Sequence, residues 1–202
     1  DNCPFRRLLL NPLYKVIHTF FTALCKDFHI RSFVTHTAFN PADICMALYS
    51  RSKSNALNNP EYPHMISKHH FDRVCGLIDN HGEAARVAVG GGRDPKTLKI
   101  EPTVMTGVTL DDPVMQEEIF GPVLPLITWR KIDEAVAVTE KFGHPLACYI
   151  FSNDTNFQQY LLHRIPFGGA TINDVVIHAS SNAMGFGGVG NSGMGSYHGK
   201  DG

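Results

Sequence analysis

Six consecutive apolar residues, Leu146-Ala147-Cys148-Tyr149-Ile150-Phe151, stand between two helix-forming stretches. The run is too short for a buried helix and has no polar face. It therefore reads as a strand covered on both sides, the pattern of a parallel sheet flanked by helices. Before it, Asp133 is placed to cap a helix running through Phe142, with Ala135, Val136 and Val138 turned inward. After it, Asn153 and Asp154 cap a second helix, Thr155 to Ile165. Gly169 to Asn173 and Val175 to Ile177 close the order as strands.

The same alternation runs upstream. Ser67 is an N-cap for a helix whose inner face carries Phe71, Val74, Cys75 and Ile78, and Asn80 to Gly82 ends it. Arg86 to Val89 is a short strand stopped by Gly90-Gly91-Gly92. Thr103 to Val108 and Val123 to Trp129 are further strands, and Pro125 places the latter at an edge or bulge. Alternating strands and helices make the class α/β with a largely parallel sheet.

The composition is that of an ordinary globular chain, with 43% hydrophobic residues and a net charge of -1. Such a balance gives no reason to expect nucleic acid as a partner. No apolar run approaches the roughly 20 residues of a membrane-spanning helix. The five cysteines are Cys3, Cys25, Cys45, Cys75 and Cys148. Their odd number, wide spacing and lack of a CxxC pair argue against a zinc site or a disulfide framework, and the expected compartment is cytoplasmic. Cys75 and Cys148 lie in apolar patterns and read as core.

Residues 1–45 stand apart, with three of those cysteines and only Asp1 and Asp27 as acids before Asp43. Leu13 to Phe28 has helical spacing of apolar residues, and Arg31 to Phe39 has weak strand character. The segment agrees poorly with itself, which argues against folding with the rest. The chain is accordingly divided into residues 1–45, a non-native or disordered segment, and residues 46–202.

Several stretches have the residue types for chemistry. In Gln116-Glu117-Glu118-Ile119-Phe120-Gly121-Pro122-Val123, paired acids precede an aromatic residue and a Gly-Pro turn. A carboxylate there suits vicinal hydroxyls such as those of a ribose. The competing reading makes the acids a solvated pair and Phe120 a core residue. From Gly185 to Lys200, seven of sixteen positions are glycine, interleaved with Phe186, Met194, Tyr197 and His198. An ordered loop at a pocket or an interface fits this mixture better than a linker. Gly90-Gly91-Gly92-Arg93-Asp94 invites an anion, but no helix start follows it, so a tight surface loop is the better reading. His178 and His198 flank the long glycine loop and are candidates to lie near each other. His69 and His70 are neighbours on a helix and cannot chelate a metal together. Cys25 and Cys45 lack the setting of a nucleophile, and the nearest approach to one is Asn40-Pro41-Ala42-Asp43-Ile44-Cys45.

Taken together, Gln116 to Val123 and Phe186 to Gly195 resemble the NAD(P)-dependent aldehyde dehydrogenase superfamily. Ser196-Tyr197-His198-Gly199-Lys200 is similar to its class 3, the fatty and aromatic aldehyde branch. Asn59 to Pro63, Ile66-Ser67, His70-Phe71, Arg73, Leu146 to Ser152, Gly168-Gly169 and Asn173 to Val175 fit the same branch. The resemblance covers residues 46–202 and implies a Rossmann-like, largely parallel sheet of the family's catalytic domain, incomplete in this chain. It implies oxidation of an aldehyde to a carboxylic acid with NAD or NADP. In the family a cysteine thiolate attacks the aldehyde, and a glutamate-activated water releases the acid.

Carried over residue by residue, the resemblance makes Glu118 the holder of the nicotinamide ribose and Phe120 the ring beside the nicotinamide. Phe186 becomes a wall of the substrate pocket. It also implies a homodimer in the intact family member. Neither the G-Q-x-C setting of the family's nucleophile nor its E-L-G-G-K base motif occurs in the chain. No catalytic residue is therefore assigned, no metal is expected, and the chain ends before the membrane tail that some class 3 relatives carry. The expectation is a C-terminal fragment, inactive alone. The alternative is a non-catalytic subunit that associates with a full-length relative.

Overall fold

The computed structural model describes residues 33–35, 56–60, 62–173, 178 and 183–200. The helix expected over Leu13–Phe28, the strand over Val175–Ile177, and Cys3, Cys25 and Cys45 lie outside them. The described residues fall into two compact units: one from 56 to 128, the other 33–35 with those from 129 on.

In the first unit, helix α1 (Lys68–Asp79) begins where Ser67 accepts a hydrogen bond from the His70 N–H, and it ends at Asn80. Its inner face buries Phe71, Val74, Leu77 and Ile78 against Ile100, Met105, Val114 and Val123. The sheet beneath has three strands. Strand β2 (Arg86–Val89) pairs antiparallel with β5 (Thr103–Thr106), and β5 pairs parallel with β6 (Val123–Pro125). Pro125 thus sits on an edge strand, where a missing N–H costs nothing. Both β5 and β6 are shorter than the apolar runs that announce them. A small antiparallel pair, β3 (Arg93–Asp94) with β4 (Lys99–Ile100), adds a hairpin.

A four-residue helix, α2 (Pro113–Gln116), starts at Asp112. The Asp112 carboxylate is buried, and it turns away from α2 to accept from the Thr109 N–H at 2.6 Å, the Thr109 hydroxyl at 2.9 Å and the Gly82 N–H at 2.5 Å.

The second unit holds a sheet whose three described strands are all parallel. Strand β7 (Ala147–Phe151) is central and all five of its residues are buried. It pairs with β1 (Phe33–Thr35) on one side and β8 (Gly169–Ile172) on the other. Helix α3 (Ile132–Phe142) starts two residues earlier than expected, with Lys131 at the cap and Asp133 inside the first turn. The boundary moves because Glu134 reaches back to the Arg130 N–H at 3.0 Å. Asp133 and Glu134 then suit the positive end of the helix dipole.

Helix α4 (Thr155–Arg164) is capped by Asp154, which accepts from the N–H groups of Asn156 and Phe157. Ala135, Val136, Cys148, Ile150, Leu161 and Ile165 form the core. Asn173 ties the ends of β7 and β8 together. Its side chain accepts from the Ser152 N–H at 2.9 Å and donates to the Ser152 carbonyl at 2.9 Å. Its own φ is 55°, a left-handed value that asparagine tolerates better than most residues.

The α/β class holds. The antiparallel pairs β2/β5, β3/β4 and a third in the glycine-rich stretch are what periodicity did not reveal, because two- to four-residue strands carry too little pattern.

Candidate functional site

The Glu118 turn belongs to the first unit and is built against α1. Glu117 leaves α2 in extended conformation. Arg73, on α1, then meets three successive residues of the turn. Its Nη1 donates to Glu117 Oε1 at 3.0 Å and to the Glu118 carbonyl at 3.2 Å, and its Nη2 donates to the Ile119 carbonyl at 2.6 Å. Val74, the next residue on α1, lies under Gly121. A Cβ added at Gly121 would come within 3.0 Å of both Val74 methyls, so only glycine lets the turn lie this close. The turn then joins the sheet, where the Thr103 N–H donates to the Pro122 carbonyl at 2.8 Å.

Between these anchors Phe120 has φ 44°, and its residue is 52% exposed. A left-handed conformation costs a non-glycine residue about 1–2 kcal/mol. Such strain persists only where the surroundings over-determine it, and it concentrates at functional positions. The exposed ring forms one side of a groove of about 130 Å³, shared with Tyr62, His70, Ile100 and Pro122.

The competing reading of this stretch is therefore wrong for Phe120, which is not core, and incomplete for Glu117, whose carboxylate is paired with Arg73. Glu118 is half-buried next to the exposed ring. A carboxylate that can accept from vicinal hydroxyls, two residues before an exposed aromatic ring, is a pair of residue types that fits a ribose bearing a flat heteroaromatic ring.

The glycine-rich stretch belongs to the second unit and is an ordered hairpin. Strands β9 (Phe186–Gly187) and β10 (Ser196–Tyr197) pair antiparallel, and a single 3₁₀ turn over Gly190–Ser192 lies between them. The Ser192 hydroxyl closes the turn, accepting from the Val189 N–H at 2.9 Å. Gly187 faces the Gly195 carbonyl so closely that a Cβ would stand 2.0 Å from its oxygen.

Aromatic rings run under the hairpin in sequence. Tyr149 meets His178 at 5.6 Å, His178 stacks on Phe186 at 6.0 Å, Phe186 meets Tyr197 edge-on at 5.8 Å, and Tyr197 meets His198 at 4.2 Å. His178 and His198 are thus joined through two other rings. Burial pushes the His178 imidazole below its ordinary value, so it packs there as a neutral ring.

Arg93 does not serve as an anion site. Its guanidinium makes a two-pronged pair with Asp79, at 2.8 and 2.9 Å. Cys75 and Cys148 are buried free thiols. Burial raises the Cys75 thiol, and it pushes the Cys148 thiol up to about 12. Neither is poised as a thiolate nucleophile. Among the described residues no group of histidines, cysteines and acids is arranged to hold a metal, and no helix is long and apolar enough to cross a membrane.

The family pattern described as the aldehyde dehydrogenase family matches residues 46–202. The chain belongs to the aldehyde dehydrogenase family. It is 44% identical over 146 residues to the rat aldehyde dehydrogenase named dimeric NADP-preferring, which is 72% of this chain and 31% of the rat protein. It is 40% identical to the 4,4'-diaponeurosporen-aldehyde dehydrogenase of Staphylococcus aureus, again over 72% of this chain and 31% of the relative. The chain therefore spans about a third of the length of these curated relatives. Among solved structures, the substrate-bound state of Staphylococcus aureus AldH superposes with a TM-score of 0.82 at 34% identity. That likeness covers 94% of this chain and 42% of the other.

Arg73 is the site residue that sequence reasoning left without a role. It stands in a stretch similar to the family, but its partners are main-chain carbonyls 45 and 46 residues away. Residue types do not announce such a contact.

Proposed function

We propose that this chain supplies the nicotinamide-facing part of a site that oxidises aldehydes to carboxylic acids with NAD or NADP. The observation that carries this is the Glu118–Phe120 turn, in which half-buried Glu118 stands two residues before Phe120, whose backbone is left-handed and whose side chain is half-exposed. Glu118 accepts hydrogen bonds from the two ribose hydroxyls, and Phe120 bounds the ring attached to that ribose. When bound, the nicotinamide supplies the electron acceptor for the oxidation. Phe186, set in its hairpin by His178 and Tyr197, forms a wall of the aldehyde pocket. The intact protein is proposed to be a homodimer, a reading to which the rat relative's name, dimeric, lends support. The two buried free thiols accord with a reducing, cytoplasmic setting.

The test is saturation-transfer NMR on the 202-residue chain with NADH or NADPH. Transfer to the ribose and nicotinamide protons is expected, and Glu118→Gln should weaken the binding about tenfold by removing charge-assisted hydrogen bonds. No transfer to those protons, or equal binding by the variant, sinks the assignment. With a medium-chain or aromatic aldehyde and NAD or NADP, absorbance at 340 nm should stay at the blank. Both described thiols are buried, and steady NAD(P)H production would overturn that expectation.

A further inference from the structure

We propose that Arg73 is the positioning residue of the Phe120 turn, holding the backbone that presents Glu118 and Phe120; its use in cofactor binding rests on the reading given above. Three observations converge on it. The guanidinium is mostly shielded, and it spends its planar fork on the carbonyls of two successive turn residues, Glu118 and Ile119. Those carbonyls directly precede Phe120, the residue with the left-handed backbone. Further supports lie on the far side of Phe120, in the Gly121 contact with Val74 and the Pro122 carbonyl bound by Thr103. A strained residue is thus fastened on both sides, and Arg73 is a fastening on the acidic side.

Glu117 has a subordinate part. It balances the charge of Arg73 at 3.0 Å with a side chain about half exposed, an arrangement that contributes little by itself. The adjacent acids then divide their work: Glu117 faces the arginine, and Glu118 contributes its carbonyl to the clamp. Lysine at position 73 would carry the charge but not the fork, so it would serve one carbonyl at a time.

The experiment compares the parent chain with Arg73→Gln, Arg73→Lys and Glu117→Gln by amide hydrogen exchange. The reporters are the Thr103 and Val123 amides, whose acceptors are the Pro122 and Gly121 carbonyls of the turn. Arg73→Gln is expected to speed their exchange about tenfold or more, while the protected amides of Arg86–Val89, in the same unit, keep the parent rate and confirm that this unit is folded. Arg73→Lys should restore part of the protection, and Glu117→Gln should stay within about twofold of the parent. Saturation transfer to NADH should fall in Arg73→Gln and partly return in Arg73→Lys. Unchanged exchange in Arg73→Gln overturns the proposal, as does a lysine variant no better than glutamine. Failure of the nicotinamide reading shows elsewhere, as absent transfer in the unsubstituted chain.

Discussion

Ile150→Ala is expected to lower stability by about 3–4 kcal/mol, read from urea unfolding followed by circular dichroism. Ile150 has no exposed surface and sits on the central strand β7. It packs in the same cluster as Val136 of α3 and Leu161 of α4, so truncation opens a void that both helices border. The rigidity of a close-packed interior prevents that void from collapsing fully. Ile172 is its register partner on β8 and is 37% exposed. Ile172→Ala should therefore cost no more than about 1 kcal/mol. The same chemical deletion at two paired positions isolates burial as the cause. Equal costs would show that β7 is not the centre of this unit's core.

That core was legible from the chain because six apolar residues without a polar face leave a strand no solvent side. Ser67 and Asp154 were legible for a similarly local reason, since an N-cap acts within three residues of itself. Legibility fails where one residue answers another far along the chain. Arg73 meets its carbonyls 45 and 46 residues on, and Arg93 meets Asp79 across 14. The short hairpins β3/β4 and β9/β10 are two residues per strand, below the length at which alternation says anything. At the candidate site the residue types pointed to Glu118 and Phe120, but not to the left-handed backbone that turns the Phe120 ring outward. Aromatic residues default to the core in sequence reasoning, and a strained turn is what reverses the default.

Asp112→Ala is expected to cost about 2 kcal/mol, because it removes three charge-assisted hydrogen bonds to a buried carboxylate, although their donors, in Gly82 and Thr109, lie in exposed residues that water reaches. The loss falls on the junction of Gly82 and Thr109, because the Asp112 side chain makes no cap bond to α2. Asp112 should also give the unfolding curve a pH dependence. Hydrogen bonds from the Thr109 and Gly82 N–H groups hold its carboxyl below the usual carboxylate range. The folded chain thus binds the proton less readily than the unfolded chain. The stabilisation from Asp112 is complete above the unfolded value of about 4 and fades as pH falls through the depressed folded value.

Asp79 and Asp94 are depressed as well, by Arg93 and by Thr97 respectively, so the parent chain's slope in that range has more than one source. Asp112→Asn separates them. Asparagine keeps the shape and one acceptor oxygen but has no proton to gain. Its stability should fall less steeply than the parent's below about pH 4, with the contributions of Asp79 and Asp94 unchanged. Parallel slopes for the two proteins would show that the Asp112 carboxylate is not the charged acceptor of the Thr109 and Gly82 hydrogen bonds.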